Sequence, residues 1–325
     1  MGAALDPDPL VLGVDVGGTK IAVGAVDGAA AHGVVEHPTV LASSDALLDG
    51  LEHGVRQVTR KVGAPAAIGV GVPSQIEFAS GRVMSSVNIP LEGVRLREEL
   101  TDRLGCPVFV DNDANCAALA EAQLVDDGPA RHLVMLTLGT GVGGGAIVDG
   151  RVLRGADGMG AELGHMSIDP NGPACVGNCP NTGCLEAYCS GTALERDATE
   201  FGRDLPETEL GRVYERVGMV SAPEVVRLAQ EGDRHALRLI DRFASALGVG
   251  IASYVNIFQP TEFVLGGGLS RAAAVFLDRA LGEASARALP KLWQRTTVSL
   301  ARGGADAGVI GAGLLAAREL GASAR

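Results

Sequence analysis

Three glycine turns each follow an apolar stretch that reads as a buried strand. A turn without side chains exposes backbone N–H groups, and such groups bind phosphate oxygens. A tight hairpin is the alternative for any one turn, but three turns at strand ends favour a nucleotide. Their spacing fits neither a P-loop nor a Rossmann dinucleotide site. The turns are Gly17-Gly18-Thr19, Gly139-Thr140-Gly141 with glycines 143–145 behind it, and Gly266-Gly267-Gly268.

A cysteine-rich segment provides a second set of chemically active side chains. One His and three Cys make a complete tetrahedral set for structural Zn²⁺, and a closed set leaves no coordination position for catalysis. The predicted ligands are His165, Cys175, Cys179 and Cys184. Cys189 is an alternative ligand, whereas Cys106 and Cys116 lie in apolar surroundings and are expected to be core residues.

The elements that must position these residues alternate between short apolar strands and helices, which predicts the α/β class. The segment VLGVDVGGTKIAVGAVDG is typical of a hairpin of two buried strands. AAIGVGV, CPVFVDND and TEFVLGGGLS are further predicted strands. Ser43 or Ser44 is expected to cap a helix through SSDALLDGLEHGVRQVTRKV, and ANCAALAEAQ and residues 223–258 are also predicted to be helical.

Residues 134–150, VMLTLGTGVGGGAIVDG, repeat the opening pattern of strand, glycine turn, strand and Val-Asp-Gly. An internal similarity of this kind predicts two related halves that face each other across a cleft. The predicted domains are a small one at 1–113 and a larger one at 114–307, which carries a zinc-binding loop at 165–189. A helix at about 308–325 is expected to pack back on the first domain.

The composition excludes several classes of protein. The 325 residues carry a formal charge of −12, and an acidic surface argues against nucleic acid as a partner, although solubility alone also explains it. We find no secretory signal pattern and no apolar run of membrane-spanning length. We therefore expect a cytoplasmic protein with no membrane partner, whose cysteines are reduced and available to a metal.

The motifs DVGGTK, LTLGTGVGGG and LGGG resemble the phosphate and adenosine motifs of the actin-like ATPase superfold, a ribonuclease H-like fold of two α/β domains with a cleft between them. The full set resembles the ROK family of sugar kinases and repressors, from about residue 11 to DAGVIGAGLLAARE. The resemblance implies ATP and Mg²⁺, with Asp15 holding the metal through water and Lys20 adding charge at the phosphates. The implied cofactor-binding residues are Asp15, Gly17, Gly18, Thr19, Lys20, Gly139, Thr140, Gly141, Gly266 and Gly267.

The family resemblance also implies roles at the junction VFVDNDANCAALAE. An Asp at the start of a helix commonly caps it, and Asp111 is interpreted as structural. By the family pattern, Asp113 accepts the proton of the attacking hydroxyl and Asn112 binds a sugar hydroxyl. The other implied sugar contacts are Asn88, Glu162, His165 and Glu186, and for each glutamate an exposed, solvated side chain is the alternative.

Two segments depart from the family pattern. The family has Pro-Gly where this chain has Pro73-Ser74. The family spacing Cys-x-Cys is replaced by Cys-x₃-Cys, and Pro180 replaces a glycine. The zinc is expected to clamp the loop that carries His165 and Glu186, so these departures bear on both the zinc loop and the sugar loops.

These features favour an ATP-dependent hexose kinase that phosphorylates the 6-hydroxyl, with glucokinase as the favoured activity. N-acetylmannosamine kinase, N-acetylglucosamine kinase and fructokinase are alternatives, and polyphosphate is an alternative donor. A sugar-sensing repressor is disfavoured because only ten residues precede Val11, too few for a helix-turn-helix domain. A nucleotide-dependent scaffold is disfavoured by the sugar and zinc segments. By the resemblance, a homodimer or homotetramer is expected.

Overall fold

The computed structural model describes residues 9–126 and 128–323, in which strands and helices alternate as the α/β class requires. This confirms the predicted class. The strands are β1 Val11–Val16, β2 Lys20–Asp27, β3 Ala30–Pro38, β4 Ala67–Val72, β5 Gln75–Glu77, β6 Arg82–Ser85, β7 Val108–Asn112, β8 Leu133–Leu138, β9 Val142–Val148, β10 Arg151–Val152, β11 Glu262–Gly266 and β12 Thr297–Leu300. The helices are α1 Ser44–Val62, α2 Leu96–Leu104, α3 Asp113–Gln123, α4 Glu186–Cys189, α5 Gly191–Asp204, α6 Glu209–Val217, α7 Ala222–Gln230, α8 Arg234–Phe258, α9 Leu277–Arg287, α10 Pro290–Trp293 and α11 Ala307–Ser323. Three 3₁₀ segments are Leu163–His165, Gly268–Val275 and Gly304–Asp306.

The two larger sheets have the same topology. Their strand orders are β3-β2-β1-β4-β7 and β10-β9-β8-β11-β12, so each sheet sets a three-strand meander beside two strands that come later in the chain. In the first sheet β1 pairs antiparallel with β2 and parallel with β4, and in the second β8 pairs parallel with β11. The repeat that the sequence predicted at residues 134–150 is therefore present as a repeated sheet.

The first hairpin and helix α1 form because their apolar residues match the period of each element. Even-numbered residues of β1 such as Leu12 and Val14 join one core cluster with Leu47 and Leu51 of α1. The helix begins after Ser43, whose side chain accepts a hydrogen bond from Ala46 N at 3.1 Å, so the predicted cap is confirmed.

Helix α11 packs against the opposite face of the first sheet, which carries the odd-numbered residues of β1. Two glycines permit the contact. A Cβ added at Gly13 would lie 1.9 Å from Val309 O, and one added at Gly69 of β4 would lie 1.7 Å from Ala312 O. The helix backbone therefore lies directly on the sheet backbone, closer than any side chain would allow.

The segment predicted to be helical at residues 223–258 forms two helices, α7 and α8. Asp233 interrupts it, and its side chain accepts hydrogen bonds from His235 N and Ala236 N as the cap of α8. Glycines 143–145, which we placed with the second glycine turn, lie inside strand β9.

The chain forms two compact units. One has the bounds Met1–Arg131, Gly145–Ala161 and Arg302–Arg325, and the other has the bounds His132–Gly144 and Glu162–Ala301. The domains predicted from the internal repeat, 1–113 and 114–307, stay a prediction because compactness within one chain does not define units that fold independently. The last two residues of the helix predicted at about 308–325 lie outside the described residues.

Within residues 9–126 and 128–323, none of the helices combines the length and the apolar character that crossing a membrane would need.

Candidate functional site

The first glycine turn joins β1 to β2 and presents its residues at the surface. Gly17 N donates to Lys20 O at 2.9 Å, and Thr39 Oγ1 donates to Gly17 O at 2.7 Å, so the turn is held from both sides. Thr19 and Lys20 are exposed. The Lys20 ammonium forms an ion pair with Glu36, which lies on β3 opposite Ala22, two register positions away. A phosphate ligand at this turn would compete with Glu36 for that ammonium.

Asp15 lies on the face of β1 that α11 covers. Burial raises the pKa of its carboxyl, and the charge of Lys20 opposes that shift in part. A Cβ added at Gly308, in the first turn of α11, would lie 2.3 Å from Asp15 Cγ, so only glycine lets this helix approach the carboxylate. A carboxylate oxygen is a ligand that Mg²⁺ accepts directly or through water. No role was predicted for Gly308 from the sequence, because only the family resemblance pointed to its segment, DAGVIGAGLLAARE.

Replacing Asp15 by Asn should raise the thermal midpoint of the ligand-free protein by a few degrees at pH 7. The raised pKa means that the folded state binds the proton more tightly than the unfolded state does. The carboxylate therefore costs stability as pH rises from the ordinary Asp range through the raised pKa. Asn avoids that cost, while turnover should fall at least tenfold if Asp15 holds Mg²⁺.

Differential scanning fluorimetry from pH 4 to pH 8, without nucleotide, checks the Asp15 prediction. The difference in thermal midpoint between the variant and the parent should become smaller towards low pH. Asp27→Asn, an exposed position on β2 of the same hairpin, is the control and should melt like the parent. A variant that melts below the parent at pH 7 would show that the N-terminus of α11 stabilises the Asp15 charge more than burial penalises it.

The junction between β7 and α3 holds the predicted base and its neighbour. Asn112 caps α3, since its Oδ1 accepts from Ala114 N at 2.8 Å and from Asn115 N at 3.2 Å. Its Nδ2 donates to Ser74 O at 3.3 Å, and an amide nitrogen has a second hydrogen for a sugar hydroxyl. Asp113 is the first residue of α3 and is half-buried. We considered an Asp as the residue that caps α3, but Asn112 makes this cap.

Ser74, the departure from the family pattern, is buried and hydrogen-bonded. Ser74 Oγ lies 2.8 Å from Ser86 Oγ, and Ser86 Oγ donates to Ile89 O at 2.7 Å. These bonds join the loop after β4 to the loop that carries Asn88, whose side chain is exposed. Sequence reasoning missed this link because Ser86 has no feature that marks a partner twelve residues away.

The second glycine turn, between β8 and β9, rests on the start of helix α5. Gly191 N donates to Gly139 O at 2.7 Å, and Thr192 N donates to Thr140 O at 3.2 Å. Thr140 is exposed at the tip of the turn. The turn thus has the same exposed Thr and the same flanking strands as the first turn.

Glu186 connects this turn to the cysteine-rich segment. Its Oε2 accepts a hydrogen bond from Val142 N at 2.7 Å, and a Cβ added at Gly141 would lie 2.4 Å from the same oxygen. Cys175 Sγ lies 3.8 Å from Oε1. The carboxylate is half-buried and fixed, so the alternative of a merely solvated Glu186 does not hold.

The third glycine turn follows β11. Gly267 has φ 84°, and a Cβ there would lie 2.4 Å from Leu138 O, so both conformation and space require glycine. Gly266 is buried at the strand end, whereas Gly267 and Gly268 are exposed. The role of Gly266 and Gly267 at the adenosine stays a prediction.

Glu162 and His165 lie at the start and the end of one short turn. Glu162 is exposed and precedes the 3₁₀ segment Leu163–His165, and His165 N donates to Glu162 O at 3.0 Å. Tyr254 of α8 donates its hydroxyl hydrogen to Leu163 O, which anchors this segment to the longest helix. Glu162 can therefore reach a ligand while His165 turns towards the cysteines.

The four predicted zinc ligands lie together. Each offers one ligand atom, and these atoms all lie within 4.8 Å of one another. Cys175 Sγ lies 3.4 Å from His165 Nδ1, and Cys179 Sγ lies 3.9 Å from Cys184 Sγ. Tetrahedral zinc ligands of these types lie about 3.6–3.8 Å apart, so the group fits that ion despite the shifted first cysteine.

The other cysteines lie apart from this group. Cys189 is buried and its Sγ donates to Phe243 O at 3.5 Å, so it is not the stand-in ligand that we considered. Cys106 and Cys116 are buried core residues, as expected.

Within the group of four ligands, burial and the neighbouring Cys184 and Cys179 raise the pKa of the Cys175 thiol. Such crowded thiols favour a cation that replaces their protons.

Comparison with known proteins agrees with these features. A family model described as the ROK family matches residues 11–319. The glucokinase of Halalkalibacterium halodurans is 36% identical over 316 residues, which cover 95% of this chain and 95% of that protein. The crystal structure of a ROK hexokinase from Thermus thermophilus matches with a TM-score of 0.84 and 38% identity, over 96% of this chain and 99% of that one. A ROK family glucokinase from Streptomyces griseus, in complex with glucose and AMPPNP, matches with a TM-score of 0.79 and 30% identity, over 95% and 99% of the two chains. These structures confirm the predicted actin-like ATPase fold.

Proposed function

The chain belongs to the ROK family, and we propose that it is a glucokinase, which transfers the γ-phosphoryl group of ATP to the 6-hydroxyl of glucose. The glucokinase of similar length that matches 95% of this chain supports the sugar. The observation that carries the catalytic assignment is the half-buried Asp113 at the start of α3. A sensor or a scaffold needs no base at this position.

The proposed reaction needs one proton acceptor and a set of charge-stabilising groups. Asp113 accepts the proton of the 6-hydroxyl and orients its oxygen towards the phosphorus atom. A carboxylate is adequate because the phosphoryl transition state is loose and needs mainly orientation and late proton removal.

Five side chains bind the sugar in this proposal, in addition to Asp113. Hydroxyl groups pair well with carboxylates, amides and imidazoles, which accept and donate in fixed directions. The links from Asn112 to Ser74 and from Glu186 to Val142 support the proposal, because a sugar site requires side chains that are already oriented. The proposed sugar-binding residues are Asn88, Asn112, Glu162, His165 and Glu186.

The ATP site is proposed at the three glycine turns. The terminal phosphates are bound by Gly17, Gly18, Thr19 and Lys20 at the first glycine turn and by Gly139, Thr140 and Gly141 at the second. Gly266 and Gly267 border the adenosine. Mg²⁺, held through water by Asp15, would supply positive charge at the phosphates.

Zinc is proposed as a structural ion at His165, Cys175, Cys179 and Cys184. The distances among these ligand atoms support it. The ion would hold the segment between the 3₁₀ element and α4, and so keep Glu186 directed at the second glycine turn. A homodimer or homotetramer and a cytoplasmic location stay predictions.

A panel assay tests the proposed substrate. Formation of ADP from ATP is measured with glucose, mannose, fructose, N-acetylglucosamine and N-acetylmannosamine, in the presence of Mg²⁺ and Zn²⁺. We expect glucose to give the highest kcat/KM. Preference for an N-acetylated sugar or for fructose would make that sugar the substrate in place of glucose. Turnover only with polyphosphate would make polyphosphate the donor in place of ATP. No phosphorylation with either donor would contradict the kinase assignment.

A further inference from the structure

Asp111, which precedes the proposed sugar and base residues, is the centre of a buried network. Its side chain is 1% exposed and accepts three hydrogen bonds. Oδ1 accepts from Asn112 N at 2.8 Å and from Asn115 Nδ2 at 2.9 Å. Oδ2 accepts from Arg154 Nε at 2.8 Å. A carboxylate with this many partners has one orientation.

Arg154 is itself held on two sides. Its guanidinium carbon lies 3.7 Å from the centre of the Phe78 ring, a cation–π and stacking distance. Its carbonyl oxygen accepts a hydrogen bond from Gly160 N at 2.9 Å, and Phe78 N donates to Asp157 O at 2.9 Å. The guanidinium is therefore fixed between the carboxylate and the ring before any substrate binds.

Asp111 Oδ1 accepts hydrogen bonds from two groups, one on each side of Asp113 in the chain. Asn112 N lies before it, and the Asn115 side chain lies one turn into α3. The orientation of the Asp111 carboxylate thus sets the first turn of α3 relative to β7. An ion pair this buried contributes little net stability compared with apolar side chains of the same size, so stability alone does not explain its presence.

We propose that Arg154 is a positioning residue for phosphoryl transfer, which holds Asp111 and through it the first turn of α3 that carries Asp113. The inference rests on the proposed function, since it requires Asp113 to be the base. A displacement of about 1 Å at a reacting group can cost about 100-fold in rate, so loss of this support should appear in turnover. Sugar affinity should change little, because Arg154 does not contact the sugar in this proposal.

The test compares Arg154→Met and Arg154→Lys with the parent, using ATP and the sugar that the panel assay favours. Arg154→Met should lower kcat about 30-fold and leave KM for the sugar within about threefold. Arg154→Lys should recover part of kcat, because it keeps the charge but loses the planar stacking group. Arg151→Met, an exposed arginine on β10, is the matched control and should behave as the parent. Parent-like kcat in both Arg154 variants would overturn the proposal.

A double variant separates positioning from charge neutralisation. Arg154→Met leaves the Asp111 charge buried and can lower the thermal midpoint, whereas Asp111→Asn/Arg154→Met removes that charge and keeps the oxygen that accepts from Asn112 N. If Arg154 positions the first turn of α3, the double variant should recover the thermal midpoint but not kcat. Full recovery of kcat would show that Arg154 only neutralises Asp111, which overturns the proposal.

Asp113→Asn, measured in parallel, distinguishes the two possible failures. If Asp113→Asn is slow and the Arg154 variants are normal, the base assignment stands and only the role of Arg154 is wrong. If Asp113→Asn has parent-like turnover, the base assignment fails and the positioning role fails with it.

Discussion

Replacing Asp113 by Asn is expected to lower kcat for sugar phosphorylation by about 10²–10⁴-fold, the range that general bases contribute. Asn has nearly the same shape as Asp but cannot take a proton from the attacking hydroxyl. Its Oδ1 can still accept the hydrogen bond that Asp113 Oδ1 receives from Ala114 N at 2.9 Å, so the start of α3 should keep its geometry. The dissociation constant for the sugar should therefore change less than about threefold.

Steady-state kinetics measures kcat of the Asp113 variant, and calorimetric titration with the sugar measures its dissociation constant. Asp157→Asn serves as the matched control, since Asp157 is exposed and its structural contact is made by the main-chain carbonyl. A kcat within about threefold of the parent would remove Asp113 as the base. A large loss of sugar affinity with normal kcat would make it a binding residue only.

Replacing Cys184 by Ser is expected to release the zinc ion and to raise KM for the sugar by tenfold or more. Cys184 is fully buried, and it is one of four side chains whose ligand atoms lie within 4.8 Å of one another. A hydroxyl is a poor zinc ligand compared with a thiolate, so three remaining ligands should bind the ion weakly. Glu186 follows two residues later, so a loosened loop would lose its directed carboxylate.

Elemental analysis of the purified protein and sugar-dependent kinetics check the Cys184 prediction. Cys106→Ser is the control, because Cys106 makes its contact with Pro65 O in the first unit, whereas the four ligands belong to the second. The parent and the control should each hold about one zinc per chain, the stoichiometry of a closed four-ligand site. If Cys184→Ser keeps the ion and the parent KM, the zinc does not hold the sugar-binding loop.

Local patterns in the sequence predicted the elements that carry the site. The buried hairpin around Gly17, the helix after Ser43 and the strand that ends at Asn112 all formed where apolar period and turn residues indicated. The ligand group at His165 was predicted from residue types alone, because a closed set of one His and three Cys has few other uses. These features depend on neighbours within a few residues or on side-chain chemistry.

Features that depend on distant partners could not be predicted in this way. The Arg154–Asp111 pair joins residues 43 positions apart, and neither residue type identifies its partner. Gly308 has meaning only because α11 lies on Asp15, and Ser74 only because Ser86 faces it. Asn112 was assigned to the sugar alone, yet its carbonyl oxygen also caps α3, a choice between two neighbouring cap residues that spacing does not decide.

The contact between α11 and the first sheet has a consequence for biosynthesis. Strand β1 ends at Val16, but the helix whose backbone covers Gly13 and Gly69 begins at Ala307, 291 residues later in synthesis. At typical ribosomal rates of 5–20 residues per second, the wait is roughly 15–60 s. During this interval one apolar face of the nascent sheet has no cover, so the first unit matures only after α11 has been synthesised and is a natural client for a chaperone. Termination of translation before α11 would leave that sheet open to aggregation.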